Sequence, residues 1–179
     1  MNTAKLFVTT LLAGSLLGAA GCSTLSATRA PGVDLKAAWV LLPAVNNTET
    51  PQAGARLDSL TASLLRVHGV QNLSVWPAAR AGDALLEQAD RAGQEKAMVW
   101  AKEQQARYAV SGSVDEWRYK VGLDGEPAAG ITLSITDLSS GQVIWSGSAA
   151  RTGWSREAVS GVAQKVVNQL LDEALVPAR

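Results

Sequence analysis

The stretch that decides the fold runs from Tyr108 to Glu157 and reads YAVSGSVDEWRYKVGLDGEPAAGITLSITDLSSGQVIWSGSAARTGWSRE. Within it, apolar residues alternate with hydroxyl-bearing ones from Ile131 to Thr136. This period of two places the two kinds of side chain on opposite faces of a β-strand. A turn-forming sequence, DLSSGQ, follows at 137–142, and a second β-rich run comes after it. We therefore predict an antiparallel hairpin over 129–151.

A third strand is predicted immediately before this hairpin. Alternate residues are small or apolar from Tyr108 to Val114 and again from Trp117 to Val121, but the two runs are out of phase. A phase change of this kind indicates a β-bulge or a bend near Asp115–Glu116. The connection 122–127, GLDGEP, holds two glycines, two carboxylates and a proline, and this composition is typical of a solvated turn.

The N-terminus has the pattern of a bacterial lipoprotein. Residues 1–21 contain a lysine, an apolar run and then small residues, which is the order found in a secretory signal peptide. The sequence Ala19-Ala20-Gly21-Cys22 resembles a lipobox, in which the cysteine is acylated and the signal is removed before it. Cys22 is the only cysteine, so no internal disulfide is expected. The alternative is an ordinary signal peptide with a chance cysteine, and Ser23 favours the outer membrane if the signal is a lipobox.

The remaining chain is predicted to form one domain. We assign 1–21 to the signal peptide, 22–36 to a lipidated N-terminus and tether, and 37–179 to a single α/β domain. The expected class is α+β, a mixed β-sheet with an antiparallel meander flanked by helices. Around the meander we predict a buried strand at 37–42, a helix at 53–68 whose C-terminus is capped by Gly69, a strand at 72–76, helices at 82–90 and 94–107, and a final helix with Ser155 as its N-cap.

Composition and residue types argue against several functions. Sixteen basic residues balance sixteen acidic ones, so the chain lacks the charge footprint of a nucleic-acid-binding protein. The sole histidine, His68, is predicted to be structural, because one imidazole without a cysteine or carboxylate cluster makes a poor metal site. Asp115 and Glu116 are adjacent on a strand and point to opposite faces, which is unsuitable for paired acid–base catalysis. We predict no enzymatic activity and no cofactor.

Three phrases together resemble one known family. They are GSVDEWRYK at 112–120, GLDGEP at 122–127 and GWSRE at 153–157, and the lipobox accompanies them. In combination they resemble the PelC family, outer-membrane lipoproteins of the Pel exopolysaccharide export system. The resemblance implies a TolB-N-terminal-like fold and a dodecameric ring on the periplasmic face of the outer membrane. It also implies a position beneath the β-barrel porin PelB, with an acidic lumen that guides a cationic, amino-sugar-rich polymer.

The resemblance also implies roles for particular residues. Asp124, with Glu126 as a weaker companion, is expected to line the lumen. Trp154 is expected to contact an anionic or zwitterionic membrane surface, with Arg156 beside it; the alternative is that Trp154 packs against the final helix. The other five tryptophans are expected in the core or in interfaces. Arg118 and Lys120 alternate along a strand edge, so they are candidates for pairing with acidic residues of a neighbouring subunit.

Two functions are compared on this basis. The first is a non-enzymatic, lipid-anchored export ring. The alternative is a monomeric periplasmic lipoprotein that binds and regulates a cell-envelope enzyme. The segment Ser23–Asp34 argues against the alternative, because fully extended it reaches only about 40 Å. A hydrolase is poorly supported, since no catalytic constellation is visible.

Overall fold

The computed structural model describes residues 23–28, 32–77, 91–121 and 125–176. These residues contain seven strands and three helices. The strands are β1 (Ser23–Ala27), β2 (Ala38–Leu41), β3 (Val45–Asn46), β4 (Asn72–Val75), β5 (Tyr108–Tyr119), β6 (Pro127–Asp137) and β7 (Gln142–Thr152). The helices are α1 (Ala53–Val67), α2 (Arg91–Glu103) and α3 (Val159–Leu175). Among the described helices, none combines the length and apolarity needed to cross a membrane.

All seven strands belong to one mixed sheet. Its order is β1-β7-β6-β5-β2-β4, and β3 pairs with the far part of β5. The four strands β1, β7, β6 and β5 are antiparallel, whereas β2 runs parallel to both β4 and β5. The pairing of β5 with β6 shifts register between Val114 and Glu116, which is the predicted bulge. The predicted mixed sheet with an antiparallel meander is therefore confirmed.

The two faces of the sheet are covered differently. Helices α1 and α3 pack on one face, over a core that includes Trp39, Ile131 and Leu170. Helix α2 packs its Ala97 and Ala101 against Val40 and the rest of a smaller cluster on the other face. Strand β2 is thus buried on both sides, which explains why its sequence is continuously apolar.

The part of the second face that belongs to β6 and β7 is lined by hydroxyl groups. Thr132 Oγ1 donates a hydrogen bond to Ser148 Oγ over 3.1 Å, and the Ser134 and Ser146 hydroxyls lie 3.1 Å apart. These cross-strand pairs confirm the face assignment made from the alternation at 131–136. They also satisfy the polar side chains within the sheet.

Helix α3 has the predicted apolar face but begins later than predicted. Val162, Val166 and Leu170 are all fully buried. Ser155 is not the N-cap, because the helix begins at Val159 and Ala158 occupies the capping position without a side-chain hydrogen bond. Ser155 lies instead in a preceding turn, which closes where the Glu157 backbone N–H donates to the Trp154 carbonyl over 2.9 Å.

The tether prediction was wrong for its first residues. Ser23–Ala27 forms β1 and pairs along the outer side of β7. All five side chains of β1 are exposed, so backbone hydrogen bonds rather than apolar burial hold the strand in place. A strand of this kind has no hydrophobic periodicity by which it could be recognised. The short strand β3 was also missed, and the helix predicted at 82–90 lies outside the described residues.

Candidate functional site at one end of the sheet

Strand register brings three separate segments to one end of the sheet. Tyr119, the last residue of β5, pairs with Pro127, the first residue of β6. On the other side of β6, strand β7 runs back to the same end, where Arg151 pairs with Ser23 at the start of β1. The β5–β6 connection, the segment after β7 and the beginning of β1 are therefore neighbours. We call this the anchor end, after the predicted acylation of Cys22, the residue before Ser23.

Large apolar side chains are exposed at the anchor end. The exposed fractions are 55% for Tyr119, 104% for Val121 and 64% for Trp154. By contrast, Trp39 and Trp145 are 1% exposed, in keeping with their predicted place in the core. The alternative in which Trp154 packs against the final helix is wrong, since its side chain lies open to solvent.

Packing around Gly153 holds the tryptophan segment in place. A Cβ atom at Gly153 would lie 2.5 Å from Val162 Cγ2 and 2.6 Å from Glu157 Oε2, so no larger residue fits there without displacement. Glu157 in turn accepts a hydrogen bond from Lys165 Nζ, and this bond holds the pKa of the Glu157 carboxyl below its usual value. The Trp154 backbone is therefore tied to α3 while its indole projects outward.

The two interface candidates already have partners within the chain. Arg118 Nε donates to Glu116 Oε1 over 2.9 Å, and Lys120 Nζ donates to Thr152 Oγ1 over 2.8 Å. The Arg118 side chain is 66% exposed. Exposed ion pairs of this type contribute little stability. Either cation can exchange its partner for a group on another molecule at small cost.

The acidic connection begins and ends at the anchor end. The Lys120 backbone N–H donates to the Glu126 carbonyl over 2.7 Å, which closes the base of the β5–β6 connection. Glu126 is exposed and Arg156 is exposed. Asp124 lies outside the described residues.

Two titratable groups away from the anchor end, Asp58 and His68, have structural roles. On α1, burial raises the pKa of Asp58 to about 7, against the opposing effect of its hydrogen bond from the Ala44 backbone N–H. His68 Nε2 lies 3.2 Å from Asn168 Oδ1, in the contact between α1 and α3. Within the described ranges, no group of three or more His, Cys, Asp or Glu side chains could hold a metal ion.

One open groove lies between α1, β5 and the start of α3. Its volume is about 350 Å³, and its lining includes Gln52, Leu60, Trp117 and Ser160. Among the described residues, Arg56 is the only charged one in that lining, so they supply no pair of groups for acid–base catalysis there.

Comparison with solved structures decides the family. A PelC dodecamer from Paraburkholderia phytofirmans that carries a Leu-to-Met substitution is 37% identical, with a TM-score of 0.74, over 88% of this chain and 100% of that one. The chain belongs to the PelC family. A second PelC dodecamer from the same organism is 36% identical, with a TM-score of 0.72 and the same coverage. No family model and no curated protein sequence matches the chain.

A more distant structure shares the PelC-like fold alone. Lipoprotein GNA1162 from Neisseria meningitidis is 19% identical, with a TM-score of 0.52, over 76% of this chain and 96% of that one. Sequence reasoning identified the PelC family from phrases that flank the anchor end. It missed β1. It also missed the exposure of Tyr119 and Val121, because their alternation with polar residues had predicted only that both lie in a continuing strand.

Proposed function

We propose that this protein is a non-enzymatic lipoprotein of a Pel-type exopolysaccharide export system and that it assembles into a ring of identical subunits. The observation that carries the proposal is the 37% identity over the full length of a PelC chain that forms a dodecamer. Twelve subunits are therefore the expected number. A ring needs two different surfaces that meet head to tail, and the exchangeable cations Arg118 and Lys120 are candidates for one of them.

The ring is proposed to sit on the periplasmic face of the outer membrane, held by acyl chains on Cys22. Trp154 and Arg156 supply a further contact, an indole at headgroup depth and a guanidinium for phosphate groups. A ring turns one exposed tryptophan per subunit into a circle of them. Weak insertion by each subunit then adds up to strong attachment.

Asp124 and Glu126 are proposed to face the lumen. One or two carboxylates per subunit, repeated around a closed ring, would create a continuous negative field. Such a field raises the local concentration of a cation, here an exopolysaccharide with positively charged amino sugars. The polymer would then pass to the outer-membrane β-barrel porin, PelB. This transfer requires no bond to be made or broken, so no catalytic group is needed.

The regulatory alternative gains no support from the described residues. A regulator that reaches across the cell envelope needs a long free segment after its anchor. Strand β1 pairs with β7 from Ser23 onward. The folded domain therefore begins one residue after Cys22. Little free length is left for such reach.

The molar mass of the chain from Ser23 onward tests the assembly. We expect size exclusion with light scattering to show a species near twelve times the monomer mass, and negative-stain images of that fraction to show closed rings. The same fraction, mixed with vesicles, would show whether the bilayer assists assembly. A monomer at every concentration, both in solution and on vesicles, would contradict the ring.

Polymer secretion tests the acidic lumen. The variant Asp124→Asn keeps the size of the side chain and removes its charge. We expect it to fold and assemble normally while secreting less polymer. Glu173→Gln, near the C-terminus of α3, removes a carboxylate away from the β5–β6 connection. It is the matched control and should secrete normally. Unchanged secretion by Asp124→Asn would remove this carboxylate from the mechanism.

A further inference from the structure

We propose that the uncovered face of the β5–β6–β7 meander is a contact surface for an amino-sugar polymer and that Asp115 pairs there with its ammonium groups. We call this surface the hydroxyl face. It consists of Asp115 and of two rows of side chains, Ser113, Thr132, Ser148 and Ser26 in one row and Ser111, Ser134, Ser146 and Thr28 in the other. The inference rests on the proposed function in one respect, the positive charge of the transported polymer.

The first step is that the hydroxyl face is open. Helices α1 and α3 pack on the opposite face of the sheet. Helix α2 covers only a neighbouring area, around Val40 and Ala109, and no other described helix packs on this side. The side chains of both rows are half-buried or exposed. A molecule outside the domain can therefore reach them.

The second step is the arrangement of the hydroxyl groups. In the first row, each residue is the register partner of the next, from β5 through β6 and β7 to β1. In the second row the same holds from β5 to β7, and Thr28 Oγ1 accepts from the backbone N–H of Ser146. Adjacent strands are about 4.8 Å apart, so the first row extends over about 14 Å, and the two rows are about 7 Å apart. An extended chain of hydroxyl-bearing sugar rings can contact several of these groups at once.

The third step is the hydrogen-bonding capacity that remains on this face. Thr132 Oγ1 and Ser148 Oγ lie 3.1 Å apart, and so do the hydroxyls of Ser134 and Ser146. Each such pair uses one hydrogen and one lone pair, whereas every hydroxyl has one hydrogen and two lone pairs. The pairs therefore leave more acceptors than donors free. An ammonium group has three donors and no acceptor, so an amino sugar suits this surface.

The fourth step is the charge of Asp115. Asn47 Nδ2 donates to Asp115 Oδ1 over 2.8 Å, and Ser113 Oγ donates to the same oxygen over 3.1 Å. Thr132 Oγ1 lies 3.0 Å from Asp115 Oδ2. These groups orient the carboxylate but carry no positive charge, and among the described residues no lysine, arginine or histidine forms an ion pair with it. Because the side chain is exposed, it can pair with a cation on another molecule.

The position of Asp115 links the hydroxyl rows to the acidic connection. Strand β5 continues from Ser113 through Asp115 to Tyr119 at the anchor end, so Asp115 lies about 13 Å before that end. A polymer that follows β5 from the rows reaches Asp115 first and then the connection that contains Glu126. Exposed ion pairs are individually weak, and weak contacts at several sites allow a passing chain to leave each one.

Binding of short amino-sugar oligomers tests the role of Asp115. The acylated protein is placed on phosphatidylcholine vesicles, which have no net charge, and the probes are fluorescent hexamers of glucosamine and of N-acetylglucosamine. We expect the parent protein to prefer the charged hexamer. Asp115→Asn should weaken binding of the glucosamine hexamer about threefold, the effect of one exposed ion pair, and should leave binding of the neutral hexamer unchanged. An unchanged affinity for the glucosamine hexamer would overturn the proposal.

Two further variants show whether a charge at this position is responsible. Asp115→Glu keeps the carboxylate and should bind the glucosamine hexamer within about twofold of the parent. Glu173→Gln removes an exposed carboxylate from α3, on the opposite face of the sheet, and should bind like the parent. Equal weakening by Glu173→Gln and Asp115→Asn would mean that only net charge matters, and the assignment to the hydroxyl face would be wrong.

The hydroxyl rows are tested separately. Ser148→Ala removes one exposed hydroxyl and should weaken binding of both hexamers about twofold, because a hydrogen bond to a sugar hydroxyl does not depend on the ammonium charge. Ser140→Ala, in the exposed turn between β6 and β7, is the matched control and should bind both hexamers like the parent. If Ser148→Ala also bound like the parent, the rows would not belong to the contact surface.

Assembly separates polymer contact from subunit contact. Ser148→Arg places a cation on the hydroxyl face and should reduce polymer secretion roughly tenfold, since like charges repel, while the ring keeps its mass in light scattering. Ser140→Arg is the control and should secrete normally. A Ser148→Arg protein that no longer forms rings would show that this face contacts a neighbouring subunit, which contradicts the proposal.

The same measurements distinguish this inference from the proposed function. A parent protein that bound both hexamers equally would contradict the recognition of a cationic polymer, and with it both proposals. A preference for the charged hexamer that persists in Asp115→Asn but is lost in Asp124→Asn would contradict only the hydroxyl face. The acidic lumen would then stand as proposed.

Discussion

The two ends of the β5–β6–β7 meander expose different kinds of side chain to solvent. At the turn between β6 and β7, Asp137 Oδ1 accepts hydrogen bonds from the Ser139 backbone N–H and hydroxyl over 2.9 and 2.6 Å. The Gly141 N–H donates to the Asp137 carbonyl over 2.8 Å. This end satisfies its own polar groups and places polar side chains in water.

The anchor end leaves three apolar side chains uncovered. Tyr119, Val121 and Trp154 are each more than half exposed. Scattered exposed apolar residues are common, but a group of them on adjacent segments marks a contact surface. The difference is that one end of the sheet satisfies its polar groups within its own turn, whereas the other end leaves a group of apolar side chains open to contact.

The largest expected effect is a difference in stability between alanine variants of two tryptophans, one inside β7 and one just after it. Trp145→Ala should lower the free energy of unfolding by about 3–5 kcal/mol, because it empties a fully buried site. Trp154→Ala should change it by less than about 0.5 kcal/mol, since an exposed side chain loses few contacts. Urea unfolding measures both. Similar losses for the two variants would mean that Trp154 is packed, and the contrast between the ends would fail.

The second effect is the pH dependence of stability, for which the pKa values of two carboxyl groups are shifted in opposite directions. Hydrogen bonds from Ser139, together with Arg107, hold the pKa of Asp137 below its usual value, whereas burial raises the pKa of Asp58 to about 7. As pH rises above about 4, Asp58 ionises in the unfolded chain before it does so in the folded one. Stability should therefore fall by roughly 2 kcal/mol between pH 5 and pH 8 and level off above the folded pKa.

The variant Asp58→Asn isolates this contribution. Its side-chain oxygen can still accept from the Ala44 N–H, but it carries no titratable proton. We expect the loss of stability between pH 5 and pH 8 to be about 2 kcal/mol smaller than in the parent chain. Unfolding curves at the two pH values provide the measurement, and identical pH dependence in both proteins would rule out a raised pKa at Asp58.

The third effect is membrane partition of the chain without acyl groups. Trp154→Ala should weaken binding to vesicles about tenfold, which corresponds to part of the transfer free energy of one large apolar side chain. Val143→Ala is the control, since Val143 is 61% exposed near the turn end and should leave partition unchanged. If both variants bound equally, the anchor end would have no preference for lipid.

The smallest effect concerns the self-contained turn. Gly141 has a φ of +72°, and a Cβ atom there would meet nothing within 4 Å. Gly141→Ala should therefore cost about 1 kcal/mol, through backbone conformation alone. Thermal or urea unfolding detects this change, and Gly141→Asn should cost less because asparagine tolerates this region better. Vesicle binding by both variants should match that of the parent chain.

Much of the fold could be predicted because its strands and helices carry periodic patterns. The alternation at 131–136, the phase change at Asp115–Glu116 and the apolar face of α3 all reappear in the structure. These patterns exist because each element buries one face. The N-cap prediction for Ser155 was wrong because N-cap preference is a local property, and in the structure a turn closed by the Glu157 N–H and the Trp154 carbonyl precedes the helix, which begins at Val159.

The sequence by itself determined the strand alternation, the glycine and aspartate turn, the segment that resembles a lipobox and the phrases that identify the PelC family. Each of these is a local property of consecutive residues. Only the tertiary structure decided that β1 joins the sheet and that Ser23, Val121 and Trp154 share one end. The reason is physical. Backbone pairing between distant strands leaves no mark on the side chains of an exposed edge strand, and register rather than composition sets which segments become neighbours.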